Sequence, residues 1–123
     1  MVELIYKELS YELVGCAQRV HSALGPGFPE AVYHRAMCKE LSSRKIPFQS
    51  QAEFEVFYQD NLCGRFKVDI DVHEQVVLEL KAAEALTDEH RAQTLAYLKA
   101  SRRRLAILMN FGRTRLVAER IVN

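Results

Sequence analysis

The chain lacks any long apolar run. Nothing in it approaches the ~18 consecutive apolar residues that a membrane-crossing helix requires. Its opening, MVELIYKELS, carries acids where a cleavable leader would be apolar. Neither a membrane-spanning segment nor a secretory leader is expected. Five glycines and three prolines in 123 residues are too few for a collagen-like or low-complexity chain. Cysteine is sparse as well: Cys16, Cys38 and Cys63 are scattered, odd in number and without CxxC spacing. That argues against a disulfide framework and for reduced thiols in a cytoplasmic protein. Net charge is close to absent, at +1, so charge alone does not predict a nucleic-acid partner.

What is present is an ordinary globular composition, 49% hydrophobic and 27% charged. The length suits one domain, residues 1–123, with one core. The charge is unevenly spread. Residues 87–123 hold eight Lys/Arg against three Asp/Glu, and residues 1–86 hold nine against thirteen. The basic part could follow a phosphate backbone. A solvated helix end and strand face explain it equally simply, and from charge alone that reading is preferred.

Leu9, Leu13, Cys16, Ala17, Val20 and Leu24 recur at helical spacing and predict a helix over 4–24, ended by Gly25-Pro26-Gly27. A second helix is expected from Pro29 to about Lys45. Residues 52–59 alternate as a strand, Asp60-Asn61 is a turn signal, and 62–72 and 76–82 read as two further strands. Thr87 is a candidate N-cap for a helix to about Ser101. Residues 105–111 form a buried-type strand, and 114–122 a last one. The order α-α-β-β-β-α-β-β suggests an α/β (α+β) fold, a mixed sheet flanked by helices.

The chemistry gathers on two of these strands. Period-two alternation places Phe66, Val68, Ile70 and Val72 on one face and Arg65, Lys67, Asp69 and Asp71 on the other. A three-residue loop of His73, Glu74 and Gln75 matches the apolar faces by pairing Val72 with Val76, Ile70 with Leu78 and Val68 with Leu80. The same register sets Asp69 opposite Glu79 and Lys67 opposite Lys81. Like charges facing across strands destabilise a sheet. Two such acids suit a hard cation with oxygen ligands, Mg²⁺ or Mn²⁺. Lys81 would orient a nucleophilic water or stabilise a developing oxyanion. On spacing alone, a solvated strand face with mixed charges stands as an equal reading.

Two other groups accompany the pair. Glu30 shares an otherwise apolar helical stripe with Tyr33, Met37 and Leu41, so it is expected to point inward, where a metal with bound waters would partner it. The helix dipole explains an acid in a first turn but not its choice of face. On the later helix, His90, Gln93 and Tyr97 share a side. Gln93 could bind a metal water or a phosphate, whereas His90 alone is better read as a boundary residue.

These residues carry a resemblance. Gly27, Glu30 and Tyr33 form G-x-x-E-x-x-Y; G-R-F-K-V-D runs from Gly64 to Asp69 and V-L-E-L-K-A from Val77 to Ala82. H-x-A-Q-x-x-x-Y-L-K spans His90 to Lys99, and N-F-G spans Asn110 to Gly112. In this order, over roughly residues 5–122, they resemble the GxxExxY proteins, small bacterial and archaeal members of the PD-(D/E)XK nuclease superfamily. The resemblance implies a restriction-endonuclease-like core. It also implies motif roles for Glu30, Asp69, Glu79 and Lys81, with metal at Asp69, Glu79 and Glu30 and support from Gln93, Tyr33, His90 and Tyr97. Pro29 stands where leucine is more usual, and Asp71 where an apolar residue is.

The leading expectation is therefore a Mg²⁺-dependent phosphodiesterase cutting nucleic acid, DNA in the first place. A non-catalytic module of the same fold, binding nucleic acid or protein, is the alternative. A structural domain with a surface acid pair, open to being part of a homodimer, is the third reading.

Overall fold

The computed structural model describes residues 5–123. The chain runs α1 (Lys7–Leu24), α2 (Glu30–Ser43), β1 (Phe48–Tyr58), β2 (Asn61–Val72), β3 (Val76–Lys81), α3 (Asp88–Ser101), β4 (Leu105–Asn110) and β5 (Val117–Val122). This is the expected element order. The expected start of α1 at Leu4 lies outside the described residues. The five strands form one sheet in the order β1-β2-β3-β4-β5. All neighbours are antiparallel except β3 and β4, which are parallel and joined through α3. A parallel pair needs such a crossover.

Helices cover both faces. The larger core joins Leu13, Cys16, Ala17 and Val20 of α1 and Tyr33, Met37 and Leu41 of α2 to Ile70, Val72, Val76, Leu78, Leu80, Leu105, Ile107 and Met109 of the sheet. The smaller one sets Leu98 of α3 against Ala52, Val68, Val77 and Ala106, with Phe54, Phe66 and Tyr97 at its edge. Strand β4 is buried throughout, which is why it reads as an apolar run, and β3 is buried from Val76 to Leu80 although it carries Glu79.

Several boundaries differ from expectation, each for a tertiary reason. β1 begins at Phe48 because Phe48, Gln49 and Ser50 pair with Val72, Asp71 and Ile70, although this polar stretch has no alternation to reveal it. The hairpin turn is Gln59-Asp60, both left-handed at φ 50° and 63°, as a two-residue type I′ turn requires. Pro29 is the N-cap of α2, and Glu30 is its first helical residue. The last strand starts at Val117, leaving 112–116 as a loop. Thr87 does cap α3: its Oγ1 accepts from the His90 N–H, and its own N–H donates to His90 Nδ1, each at 3.1 Å.

The face assignment in β2 needs correction. Ile70 and Val72 lie in the core under α1 and α2, whereas Val68 and Phe66 pack with α3. The four do not share a face, and neither do Asp69 and Asp71. Opposite Asp69, Gln51 adopts φ 55° and drops out of the β1–β2 ladder, which keeps the same register on either side. The pleat inverts there, so strict alternation fails across residue 69.

Asp71 consequently is neither a solvated residue nor an acid of the Asp69 cluster. It is 4% exposed and accepts two hydrogen bonds from the Arg103 guanidinium, at 3.1 and 2.8 Å. That guanidinium also lies 5.3 Å from the centroid of the Phe54 ring. Removing one partner of a buried pair strands the other charge. Arg103→Ala should therefore lower the unfolding free energy by about 3 kcal/mol. Urea denaturation at neutral pH measures it, and the double change Asp71→Leu with Arg103→Met should recover most of the loss.

Candidate active site at the fork between two strands

The β2–β3 ladder starts as expected. His73 and Glu74 turn in left-handed conformations, the Gln75 N–H donates to Val72 O at 2.9 Å, and Val72 pairs with Val76 and Ile70 with Leu78. It then stops. The next pair in register would be Asp69 with Glu79, and there the backbone bonds are replaced by side-chain ones. The Asp69 N–H donates to Glu79 Oε2, and the Leu80 N–H donates to Asp69 Oδ2, both at 2.7 Å. Each carboxylate satisfies an amide of the opposite strand, and the strands fork around them. Charge-assisted bonds of this length are strong. Asp69 Oδ1 and Glu79 Oε1 take part in no hydrogen bond among the described residues.

The environment of the pair is uneven. Glu79 is 3% exposed. Burial first, then the Asp69 carboxylate beside it, push its pKa up from 4.5 to about 8, against the opposing pull of the Asp69 amide and Lys81. Asp69 is half-buried and borders a cleft shared with Glu30. Lys81 is half-buried at the end of β3.

Glu30 does not point into the core. It is exposed and lines a cleft together with Asp69. Partial desolvation, then Asp69, raise its pKa, while Lys81, His34 and His90 act the other way. The helix stripe beneath it runs through buried Tyr33, Met37 and Leu41 as expected. Solvent reaches its first position through the cleft that Glu30 borders.

The supporting candidates divide. Tyr33 is buried, and its hydroxyl donates to Gly25 O at 2.6 Å and accepts from the Phe28 N–H at 3.2 Å. It pins the loop that delivers Glu30, and Gly27 in that loop sits at φ 113°, a conformation that favours glycine. Tyr97 stacks on Phe66 at 4.5 Å and belongs to the α3-side core. His90 Nδ1 is engaged in the α3 cap, and Gln93 is exposed on α3.

The sequence reading gave Asn110, Phe111 and Gly112 no role beyond a motif. The Asn110 carboxamide accepts from the Ala83 N–H at 2.9 Å and donates to Ala83 O at 3.0 Å, and its Oδ1 also accepts from the Gly112 N–H. The Phe111 N–H donates to Lys81 O at 2.8 Å, so the chain leaving Lys81 is clamped on β4. A Cβ at Gly112 would stand 2.4 Å from Ala83 O, which explains the glycine. Phe111 stacks on Tyr33 at 4.9 Å and joins this clamp to the Glu30 loop. The signal for it was a buried polar residue ending an apolar strand, which must find partners.

No three His, Cys, Asp or Glu side chains close into a ready ligand cluster among the described residues. The residues nonetheless fit a hard divalent cation. Two carboxylates each keep one oxygen unused, and the buried Glu79 lacks a compensating cation within bonding distance among the described residues. Glu30 stands outside this pair.

Comparison with known proteins agrees with this architecture. The family model of the PD-(D/E)XK nuclease superfamily matches residues 7–121. The chain belongs to that superfamily. The crystal structure of SSO0001 has the same fold, with a TM-score of 0.64 at 18% identity, and the match covers 96% of this chain and 57% of that one. The chain thus spans little more than half the length of SSO0001. A search of curated proteins finds no match.

The raised Glu79 pKa has a signed consequence. In the folded, metal-free protein the group holds its proton up to about pH 8, against an ordinary 4.5. Its contribution to stability is full below 4.5 and is lost as pH rises through about 8. Glu79→Gln keeps an acceptor for the Asp69 amide without the charge. In metal-free buffer its thermal midpoint should exceed that of the wild type at pH 8 and converge with it near pH 4.5. Thermal melts across this range with chelator present are the check.

Proposed function

We propose that the chain is a nuclease of the GxxExxY type that hydrolyses phosphodiester bonds of nucleic acid, DNA in the first place, with Mg²⁺ or Mn²⁺ as cofactor. In this reading residues 1–123 work as one domain in the cytoplasm. The observation that carries it is the strand fork: Asp69 and Glu79 are fixed side by side by each other's amides, with Lys81 two residues on. The superfamily supports the reaction class.

The residues divide the work. Asp69 Oδ1 and Glu79 Oε1 would hold the cation, with Glu30 assisting from the cleft through water. The cation, when bound, lowers the pKa of a coordinated water and neutralises charge on a phosphoryl oxygen. The Lys81 ammonium, on a backbone fixed by the Phe111 N–H and followed by the Asn110 clamp on Ala83, would offer donors to the attacking water or to the phosphoryl oxygens as their charge grows. Burial of Glu79 works against its ionisation, so the site suits a cation that returns the carboxylate to its charged form. Gln93 is a candidate for a further contact to water or phosphate.

Plasmid and labelled oligonucleotides with Mg²⁺ or Mn²⁺ give the test. Cleavage should stop with EDTA, and Asp69→Asn or Lys81→Met should each reduce it by about 10²–10³-fold while the folded circular-dichroism spectrum persists. Cleavage that survives both substitutions in EDTA would sink the reading. Salt-dependent binding with no cleavage under any metal would instead favour the non-catalytic module.

A further inference from the structure

Eight non-glycine residues have positive φ among the described residues. Tyr6 precedes the first turn of α1, and Lys45, Gln59, Asp60, His73, Glu74 and Arg102 lie at helix C-terminal ends or hairpin turns, where that conformation is ordinary. Gln51 does not: it lies inside β1, with regular pairs on both sides. A left-handed glutamine within a strand is strained, by about 1–3 kcal/mol, and neither Gly, Asn nor Asp occupies the position to relieve it. Such strain persists where the surroundings enforce it, and it is concentrated at functional sites.

The conformation sets Gln51 in the wall of a cleft of about 390 Å³, lined also by Glu30, Ala31, His34, Arg35, Ser50 and Asp69. The cleft therefore opens directly beside the acid pair. The Gln51 carboxamide makes no hydrogen bond among the described residues. His34 Nε2 is held 2.7 Å from Ser50 Oγ. Arg35 forms no ion pair among the described residues, although Glu30 and Asp69 border the same space. A guanidinium, an imidazole and a carboxamide thus line the cleft together with the Glu30 and Asp69 carboxylates. The volume lies within the range of small-molecule sites, roughly 300–1,000 Å³.

We infer that this cleft seats the nucleotide flanking the scissile phosphate, with Arg35 and His34 on its phosphate and Gln51 hydrogen-bonding the same backbone. The inference rests on the nuclease reading for its substrate class and adds the residues that position the strand. Arg35 supplies the charge and is suited to bidentate phosphate contact. Gln51 supplies a neutral donor whose placement is the reason for the strained backbone.

The test is binding of fluorescent single- and double-stranded DNA in EDTA, followed by anisotropy from low to moderate salt. Arg35→Ala should weaken binding about tenfold and reduce the slope of log K against log salt by about 0.7–0.9. Gln51→Gly should weaken binding by about fivefold, the loss of one hydrogen bond, with the salt slope unchanged. Its melting temperature should match or exceed the wild type, since glycine takes the positive φ without strain. A Gln51→Gly protein that gains stability and keeps full affinity, or an Arg35→Ala protein with an unchanged slope, overturns the inference even where the wild type binds and cleaves. A wild type that binds without cleaving, with both variants impaired, upholds the cleft as a nucleic-acid backbone site and removes the catalytic reading. A wild type that binds no nucleic acid overturns both.

Discussion

The structure turns on an exchange between two side chains and two backbone amides. At Ile70 and Leu78 the β2–β3 ladder ends, and Asp69 and Glu79 take over the next two bonds. In a continuous ladder these carboxylates would have faced each other with their charges unrelieved. In the fork, each is anchored by a donor from the opposite strand, so two acids can be held close together in a largely buried place. Burial still acts on Glu79, whose raised pKa records how poorly a second negative charge is tolerated there. The same interaction therefore holds the pair in position and leaves it short of positive charge.

The rest of the fold holds that fork open and in register with its neighbours. β3 is fixed from the other side by a full parallel ladder to β4, from Val76 with Leu105 to Lys81 with Asn110. Beyond the ladder, the Asn110 carboxamide takes over both backbone groups of Ala83. Phe111 then reaches back to Tyr33, which secures the loop ahead of Glu30. A stacked ring pair and a carboxamide thus join the loop ahead of Glu30 to the strands that carry Asp69 and Glu79. Asp71 and Arg103 anchor the opposite face of β2.

Much of this was legible in the sequence. Element order followed from periodicity and punctuation, and the Thr87 cap from a single residue type at a boundary. The register of the second hairpin followed from matching apolar faces, and that placed Asp69 against Glu79. The failures share a cause. Alternation assumes an unbroken pleat, and the inversion opposite Gln51 breaks it, so Asp71 was put beside Asp69 when it lies against Arg103. Helical spacing gave Glu30 the right stripe but not its exposure, because the stripe does not say that a cleft opens at its first position. Asn110 was seen only as part of a motif, since its partners lie 27 positions away on a segment without secondary structure.

The parallel contact between β3 and β4 also orders events in time. The three strands from β1 to β3 are joined by tight turns and can pair as soon as they are made. β3, however, finds its second neighbour only after α3 and β4 exist, and non-local pairing of this kind is slow. Until then Lys81 has no clamp, and the apolar edge of β3 has no partner. The last turn of the site is thus completed by residues that leave the ribosome after all of its acids.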